Sequence, residues 1–401
     1  MQLVCFSHLS WKFVYQRPQH LLSRFTAKYD VYYIEEFANS DEADGYSINV
    51  TTGNVTVVIP HLSRNFQGTH SEAERKEIVI ANLFRDYTID SYVFWYYTPM
   101  ALDYTCSFHP VAIVYDCMDE LSAFKFAPAE IKLLEQKLFD NADVVFTGGN
   151  SLYNAKQASH HNIHSFPSSI DKAHFITARD INENMADQSV IPHPRFGFYG
   201  VIDERFDIEL IKQAADARPD WHFVMVGPVI KIDPATLPQN DNIHYLGSKT
   251  YDELPAYLSG WDIALIPFAI NESTKFISPT KTPEYLAGGK PVISTPITDV
   301  VNPYQELGLV HIVHNAEDLV RVATLELNKE DKAEWLKEVD DYLGAISWDA
   351  TWQRMDELMQ AEIDENQHLL TQKINEYVRL FDSGSRTGRI GTGRKTGVNS
   401  Q

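Results

Sequence analysis

One alternation restricts what this chain can fold into more than any other feature, and it runs through the sequence twice. Apolar runs "LVCFSHL", "VYYIEEF", "SYVFWYYTP", "VAIVYDCMD" and "ADVVFTGG" are separated by helical patterns such as "PQHLLSRFTAKY". After a polar stretch, "ARDINENMADQSVIPHP", the alternation restarts with "RFGFYGV", "DIELIKQAADARP", "WHFVMVGPV", "IHYLGSK", "WDIALIPF" and "KPVISTP". Strands alternating with helices predict parallel sheets. Runs that are apolar on consecutive positions predict strands covered on both faces. The expected fold is therefore α/β, with two doubly wound, Rossmann-like domains over 1–180 and 190–345. Their carboxyl ends should face one another across an interdomain cleft, where sheets of this kind bind ligands. A length of 401 residues also exceeds what one core usually serves.

Beyond the second domain, residues 316 to 382 read as mostly helical. Trp348, Trp352, Met355 and Met359 recur at helical spacing, which predicts a core-facing stripe. Helices over 346–382 are expected to pack back on the first domain. The end of the chain, 383–401, is rich in Gly, Ser, Thr and Arg without apolar periodicity, and is expected to be a flexible tail.

Composition excludes several classes of function. A net charge of -21 with a pI near 5.1 opposes sequence-independent binding of nucleic acid, which depends on neutralising phosphates with Lys and Arg. Cys5, Cys106 and Cys117 are too few and too scattered for a disulfide framework or a zinc knuckle. There is no apolar run of about 18 residues, and Met1 leads into "LVCFSHL" without a basic flank or a small-residue cleavage site. The expected location is the cytoplasm, with peripheral contact at the inner membrane face.

The chemistry concentrates in "SPTKTPEYLAGGKPVIST", Ser278 to Thr295. A helix starting near Thr282 leaves its first NH groups unpaired and suited to a phosphate. Thr280 and Lys281 stand just ahead of it, Pro283 fits its first turn, and Gly288 with Gly289 can supply a left-handed stop. Glu284, in the first turn, can accept hydrogen bonds from vicinal hydroxyls such as those of a ribose; alternatively it only complements the dipole of a capped surface helix. The segment follows the strand-like "WDIALIPF", which sets its loop at the functional edge of the sheet.

Other candidates lie in the first half. His8 closes the first strand and faces the crevice. Arg17 opens the first helix and either binds acceptor or phosphate or braces the loop "SWKFVY". His20, inside that helix, has a packing role. Asp116 and Asp119 end "VAIVYDCMD", where they either project into the cleft to orient an acceptor hydroxyl and take its proton or cap the following turn. Neither is expected to bind a metal.

"ISPTKTPEYLAGGKPVIST" resembles the nucleotide-sugar-binding signature of the GT-B glycosyltransferases, in particular the retaining enzymes of glycosyltransferase group 1. "SHLSWKFVYQRPQHLLSRF" is similar to the amino-terminal signature of bacterial glycosyltransferases that build surface polysaccharides, including some of teichuronic acid synthesis. "VYDCMDELSAF", "ADVVFTGGNSLYNAK" and "SFPSSIDKAHF" are similar to those enzymes too, in order along the chain. The resemblance implies hexosyl transfer from a nucleotide-sugar donor to a glycan, lipid-linked or small hydroxylated acceptor, with retention and with neither metal nor cofactor. It places Glu284 on the donor ribose, Thr280, Lys281 and Thr282 at the diphosphate with Arg205 as a second positive charge, and Gly247, Ser248 and Lys249 near the base. Arg205 read without the resemblance has an alternative as an exposed surface residue. Closure of the two domains would carry the donor toward the His8 and Asp116 loops. The chain departs from the family at one point: where the common pattern has a first glutamate it has Phe276, and the nearest acid is Glu272. A non-catalytic nucleotide- or glycan-binding subunit and a sugar-nucleotide epimerase are the competing readings.

Overall fold

The computed structural model describes residues 1–181 and 185–387, the side chains of 377–387 excepted. Its first sheet is built from β1 (Gln2–Phe6), β2 (Asp30–Ile34), β3 (Ala38–Ser40), β4 (Gly45–Val50), β5 (Thr56–Ser63), β6 (Tyr92–Tyr96), β7 (Ala112–Cys117), β8 (Val144–Thr147) and β9 (Ile163–Ser165). The order is β3-β5-β2-β1-β6-β7-β8-β9, all parallel except that β4 runs antiparallel on β5. The second sheet comprises β10 (Arg195–Tyr199), β11 (His222–Val226), β12 (Ile243–Gly247), β13 (Ile263–Ile266), β14 (Val292–Ser294) and β15 (His311–Ile312), in the parallel order β12-β11-β10-β13-β14-β15.

The consecutive apolar runs are explained by the cores. Successive side chains of a strand point to opposite faces, and in β1 Leu3 and Cys5 join one hydrophobic cluster while Val4 and Phe6 join the other. Both faces are dry, so no position of the strand tolerates a charge without a partner. The reversal of strand order beside β1 and beside β10 opens a crevice at the carboxyl end of each sheet.

The long helix Trp348–Thr387 returns to the first sheet. Trp348, Met355, Met359 and Ile363 are buried in the same cluster as Leu3 and Cys5. Asp356 holds it there by accepting from Tyr29 Oη at 2.9 Å and pairing with Lys28. This helix continues past 382 to Thr387, so the first residues read as tail extend its last turns; residues 388–401 lie outside the described residues. Among the described residues no helix is long and apolar enough to cross a membrane.

Candidate active site

Loops from the carboxyl ends of both sheets enclose a cavity of about 780 Å³. On the second-sheet side the decisive local event is a withdrawal of backbone. Gly200, directly after β10, has φ +134°, and a Cβ there would lie 2.4 Å from Lys281 Cε. Gly227, directly after β11, has φ +144°, and a Cβ there would lie 1.9 Å from the Gly200 carbonyl oxygen. Two side-chain-free positions thus let Lys281 fold in at the start of the helix Lys281–Ala287. Its Nζ lies 5.7 and 5.6 Å from the ring centres of Phe198 and Phe268, and it has no ion-pair partner among the described residues. Burial pushes its pKa down to about 8.

Glu284, one turn on, is 5% exposed. Its Oε2 accepts from Tyr199 Oη at 2.7 Å, and the Tyr199 amide donates to Tyr285 Oη at 3.0 Å. Glu284 borders the cavity, and its Oε1 has no hydrogen bond among the described residues. Burial pushes the carboxyl up to about 7, against the pull of Tyr199 and Lys281. The helix stops as anticipated, with Gly289 at φ +73°.

Arg205 also borders the cavity. Its Nη2 and Nε donate to Asp203, at 2.7 Å for the shortest contact, and Asp203 is 1% exposed. The guanidinium sits 5.3 Å from the ring centre of Phe124, which belongs to the first domain, so Arg205 faces across the cleft rather than into solvent. Ser248, Lys249 and Thr280 border the cavity as well, although Lys249 is paired with Asp187 at 2.6 Å. Gly247 lies outside the lining, as a left-handed turn residue at φ +69°.

Thr282 requires a correction. Its side chain is fully buried and its Oγ1 has no partner, its amide donates to the Pro279 carbonyl, and it is not part of the cavity wall. Helical rotation of about 100° per residue turns it away from the face that Lys281 and Glu284 present.

On the first-sheet side Asp116 departs further from the reading of its sequence. It is fully buried, and its carboxylate is gripped by Arg17, with Nη2 to Oδ1 at 2.8 Å and Nε to Oδ2 at 3.0 Å. The third guanidinium nitrogen of Arg17, Nη1, donates to the Phe166 carbonyl at 2.8 Å. Asp116 therefore lies beneath the cleft and cannot meet an acceptor, because the face of β7 on which it falls is closed by the helix Arg17–Phe25. Arg17 borders the cavity but spends its guanidinium on Asp116 and the Phe166 carbonyl, while Gln19 braces the loop "SWKFVY" through the Trp11 and Val14 carbonyls. His8 is also displaced: it is not part of the wall, its Nδ1 has no partner, and burial, with Lys231 adding to it, pushes its pKa down to about 4. His20 packs flat on Trp348, with ring centres 4.6 Å apart. Asp119 does border the cavity; burial pushes its pKa up to about 6, while Arg205 and Arg17 oppose the shift.

Three contributions were missed in the sequence. Tyr251 borders the cavity with a buried hydroxyl that has no partner, its ring held between Tyr15 at 4.3 Å and His174 at 4.4 Å. Trp11, Phe13 and Tyr15 line the cavity from the loop after β1. Ser168 and Ser278 join the two domains, the Ser168 amide donating to Ser278 Oγ at 3.2 Å and the Ser168 hydroxyl to the Ser278 carbonyl. A glycine immediately after an apolar run, in "FYGV" and "MVGP", was the available signal for Gly200 and Gly227; the hydroxyl of Tyr251 had none. Phe276, at the position of the family's first glutamate, packs against the first domain's core.

Comparison with known proteins agrees with this geometry. Residues 193–325 match the Glycosyl transferases group 1 family. A Bacillus subtilis (strain 168) protein, TuaH, whose name assigns it to teichuronic acid biosynthesis as a glycosyltransferase, is 26% identical over 202 residues. The match covers 46% of this chain, and this chain spans about half the length of that relative. Among solved structures, the sucrose-phosphate synthase of Thermosynechococcus elongatus superposes with a TM-score of 0.66 at 14% identity, over 90% of this chain and 99% of that one. Anabaena HepE, solved in complex with UDP and glucose, superposes with a TM-score of 0.63 at 13% identity and the same coverage. Residues 193–325 are thus similar to glycosyltransferase group 1, and the two sheets facing one cleft have the GT-B fold of these solved structures.

Proposed function

We propose that the protein transfers a sugar from a nucleotide-sugar donor to a hydroxyl of a glycan or lipid-linked acceptor inside the 780 Å³ cavity, with retention and without a metal cofactor. One observation carries this reading: a carboxylate with a free oxygen and a lysine with no ion-pair partner sit one turn apart in the same wall. Glu284 Oε1 is available to the donor's ribose hydroxyls. Lys281, with Arg205 beside it, balances charge on the departing diphosphate. The bond from the sugar's anomeric carbon to the diphosphate oxygen breaks, a bond from that carbon to the acceptor oxygen forms, and the acceptor hydroxyl's proton passes to the departing diphosphate. Asp119, on the opposite wall with a pKa near 6, is ionised at neutral pH and orients the acceptor hydroxyl. Phe13 and Tyr15, each about 40% exposed, offer ring faces to a glycan at the cavity's edge. The UDP and glucose of the HepE complex make a uridine donor the first to try.

Phe276 favours a second reading, a subunit that binds nucleotide or glycan without transfer, since it replaces an acid with an apolar domain contact. Incubation with a panel of nucleotide sugars, with released nucleoside diphosphate as the readout, separates the two. Turnover of one donor supports transfer. Thermal stabilisation by nucleotide with no turnover across acceptors supports the binding subunit, and no binding of any nucleotide overturns transfer and leaves only a glycan-binding subunit.

A further inference from the structure

The loop after β7 reaches from one domain to the other. Asp119 stands near its start, in the cavity wall, and Phe124 follows the short turn of helix Leu121–Ala123. Between the two the chain is closed into consecutive turns. The Leu121 amide donates to the Asp119 carbonyl at 3.1 Å, the Ala123 amide to the Glu120 carbonyl at 2.9 Å and the Phe124 amide to the Leu121 carbonyl at 3.3 Å. A segment so short and so bonded to itself moves as one piece. Its base is anchored in the first domain: the Glu120 carboxylate pairs with Lys156 at 2.7 Å, and Lys156 pairs with Glu135, on the helix Ile131–Asn141, at 2.8 Å.

The far end of the segment is held by the second domain. Two cations rest on the Phe124 ring, the Arg205 guanidinium and Lys231 Nζ, each 5.3 Å from its centre and within reach of the ring's attraction for positive charge. Lys231 is exposed, has no ion-pair partner among the described residues, and stands at φ +60°, a left-handed conformation that a lysine adopts at a cost. What that conformation delivers is an ammonium to a ring of the opposite domain. The charges of Arg205 and Lys231 also reach the Asp119 carboxyl, where both oppose the effect of burial. One ring therefore connects the carboxylate of the first wall to Arg205, which the second wall offers to the diphosphate. We propose that Phe124 is a positioning residue for transfer: docked on Arg205 and Lys231, it fixes the segment from Asp119 to Phe124 and so sets the Asp119 carboxylate against the donor. Phe124 lies outside the cavity wall and works through Asp119. The proposal rests on the reading of the cavity as a donor site that faces Asp119.

The test combines hydrogen exchange of the segment 118–124, read by mass spectrometry on the full chain, with turnover of a nucleotide sugar and titration with UDP, ADP and GDP. Phe124→Leu keeps the apolar bulk and loses the negative face of the ring. Exchange in the segment should rise about tenfold and kcat should fall about tenfold or more, while KM for the nucleotide sugar and affinity for its nucleoside diphosphate hold. Phe124→Tyr restores the ring face and should return both quantities close to wild type, a rescue and a split of kcat from KM that a merely structural loop residue would not give. Lys231→Asn removes one of the two cations at a backbone conformation that Asn tolerates; it should raise exchange and lower kcat several-fold, and it keeps the test open should leucine disturb the loop. A Phe124→Leu variant that turns over like wild type overturns the proposal whatever its exchange. So does nucleotide affinity that falls in step with kcat, which makes Phe124 part of the donor site. A wild type that binds none of UDP, ADP and GDP overturns instead the reading of the cavity on which the proposal rests.

Discussion

The two walls of the cleft treat charge in opposite ways. On the first-sheet wall Arg17 and Asp116 neutralise each other in the interior, and every guanidinium nitrogen of Arg17 donates to a group of the protein. On the second-sheet wall Lys281 is half-buried and Glu284 buried, both with valences unfilled, and both are displaced toward neutrality, to about 8 and about 7. The Arg17–Asp116 pair completes the fold; Lys281 and Glu284 are held ready for something the chain does not contain. Proximity to a cleft therefore does not make a charged residue part of its chemistry.

The sharpest way to break this comparison is to remove one charge from each wall. Removing one partner of a buried ion pair costs about 3–5 kcal/mol, so Arg17→Ala should lower the unfolding free energy by that amount, read as a fall in the denaturant midpoint. Lys281→Ala should leave the midpoint nearly unchanged and abolish nucleotide binding. Should Arg17→Ala keep full stability and lose nucleotide affinity instead, the walls do not differ as described.

Glu284 gives a pH test of the same contrast. A carboxyl raised from 4.5 to about 7 holds its proton more firmly folded than unfolded. Its contribution to stability is thus full below pH 4.5 and is lost as pH rises through 7. Glu284→Gln still accepts from Tyr199 but carries no charge. Its melting temperature should match wild type near pH 4 and exceed it at pH 8, by an amount equivalent to at most about 3 kcal/mol, while nucleotide affinity falls. Equal melting temperatures at both pH values would show that the carboxylate is not desolvated.

What could be read beforehand follows the same division. The sheets were legible because a strand covered on both faces must be apolar along its buried length, as β1 is from Leu3 to Phe6 and β10 from Phe196 to Tyr199. The second wall was legible because Thr280, Lys281 and Glu284 are neighbours in sequence and one helix start fixes them together. Thr282 was misplaced although helical phase alone separates it from Lys281 and Glu284. The first wall was legible at Asp119, which borders the cavity, but not at Asp116. Arg17 and Asp116 stand 99 positions apart, and a continuously apolar strand gives no alternation from which to choose the face Asp116 takes. Its role was settled only when a helix from elsewhere closed that face.

Tyr251 lies between these cases and offers the smallest and finest test. Its ring is structural, stacked between Tyr15 and His174, while its hydroxyl, buried without a partner at the edge of the cavity, resembles the unfilled valences of the second wall. The burial that raises its pKa, with the Glu284 charge adding to the rise, keeps it a neutral donor at any physiological pH. Tyr251→Phe keeps the stack and removes only the donor. Folding stability should hold or rise slightly, since an unsatisfied group has gone. Nucleotide affinity should fall by the worth of one hydrogen bond, about 0.5–1.5 kcal/mol, measured by titration calorimetry beside Tyr251→Ala, which loses the stack as well. If Phe binds nucleotide like wild type and only Ala fails, Tyr251 belongs wholly to the joint between the domains, and the hydroxyl must be counted with the fold rather than with the site.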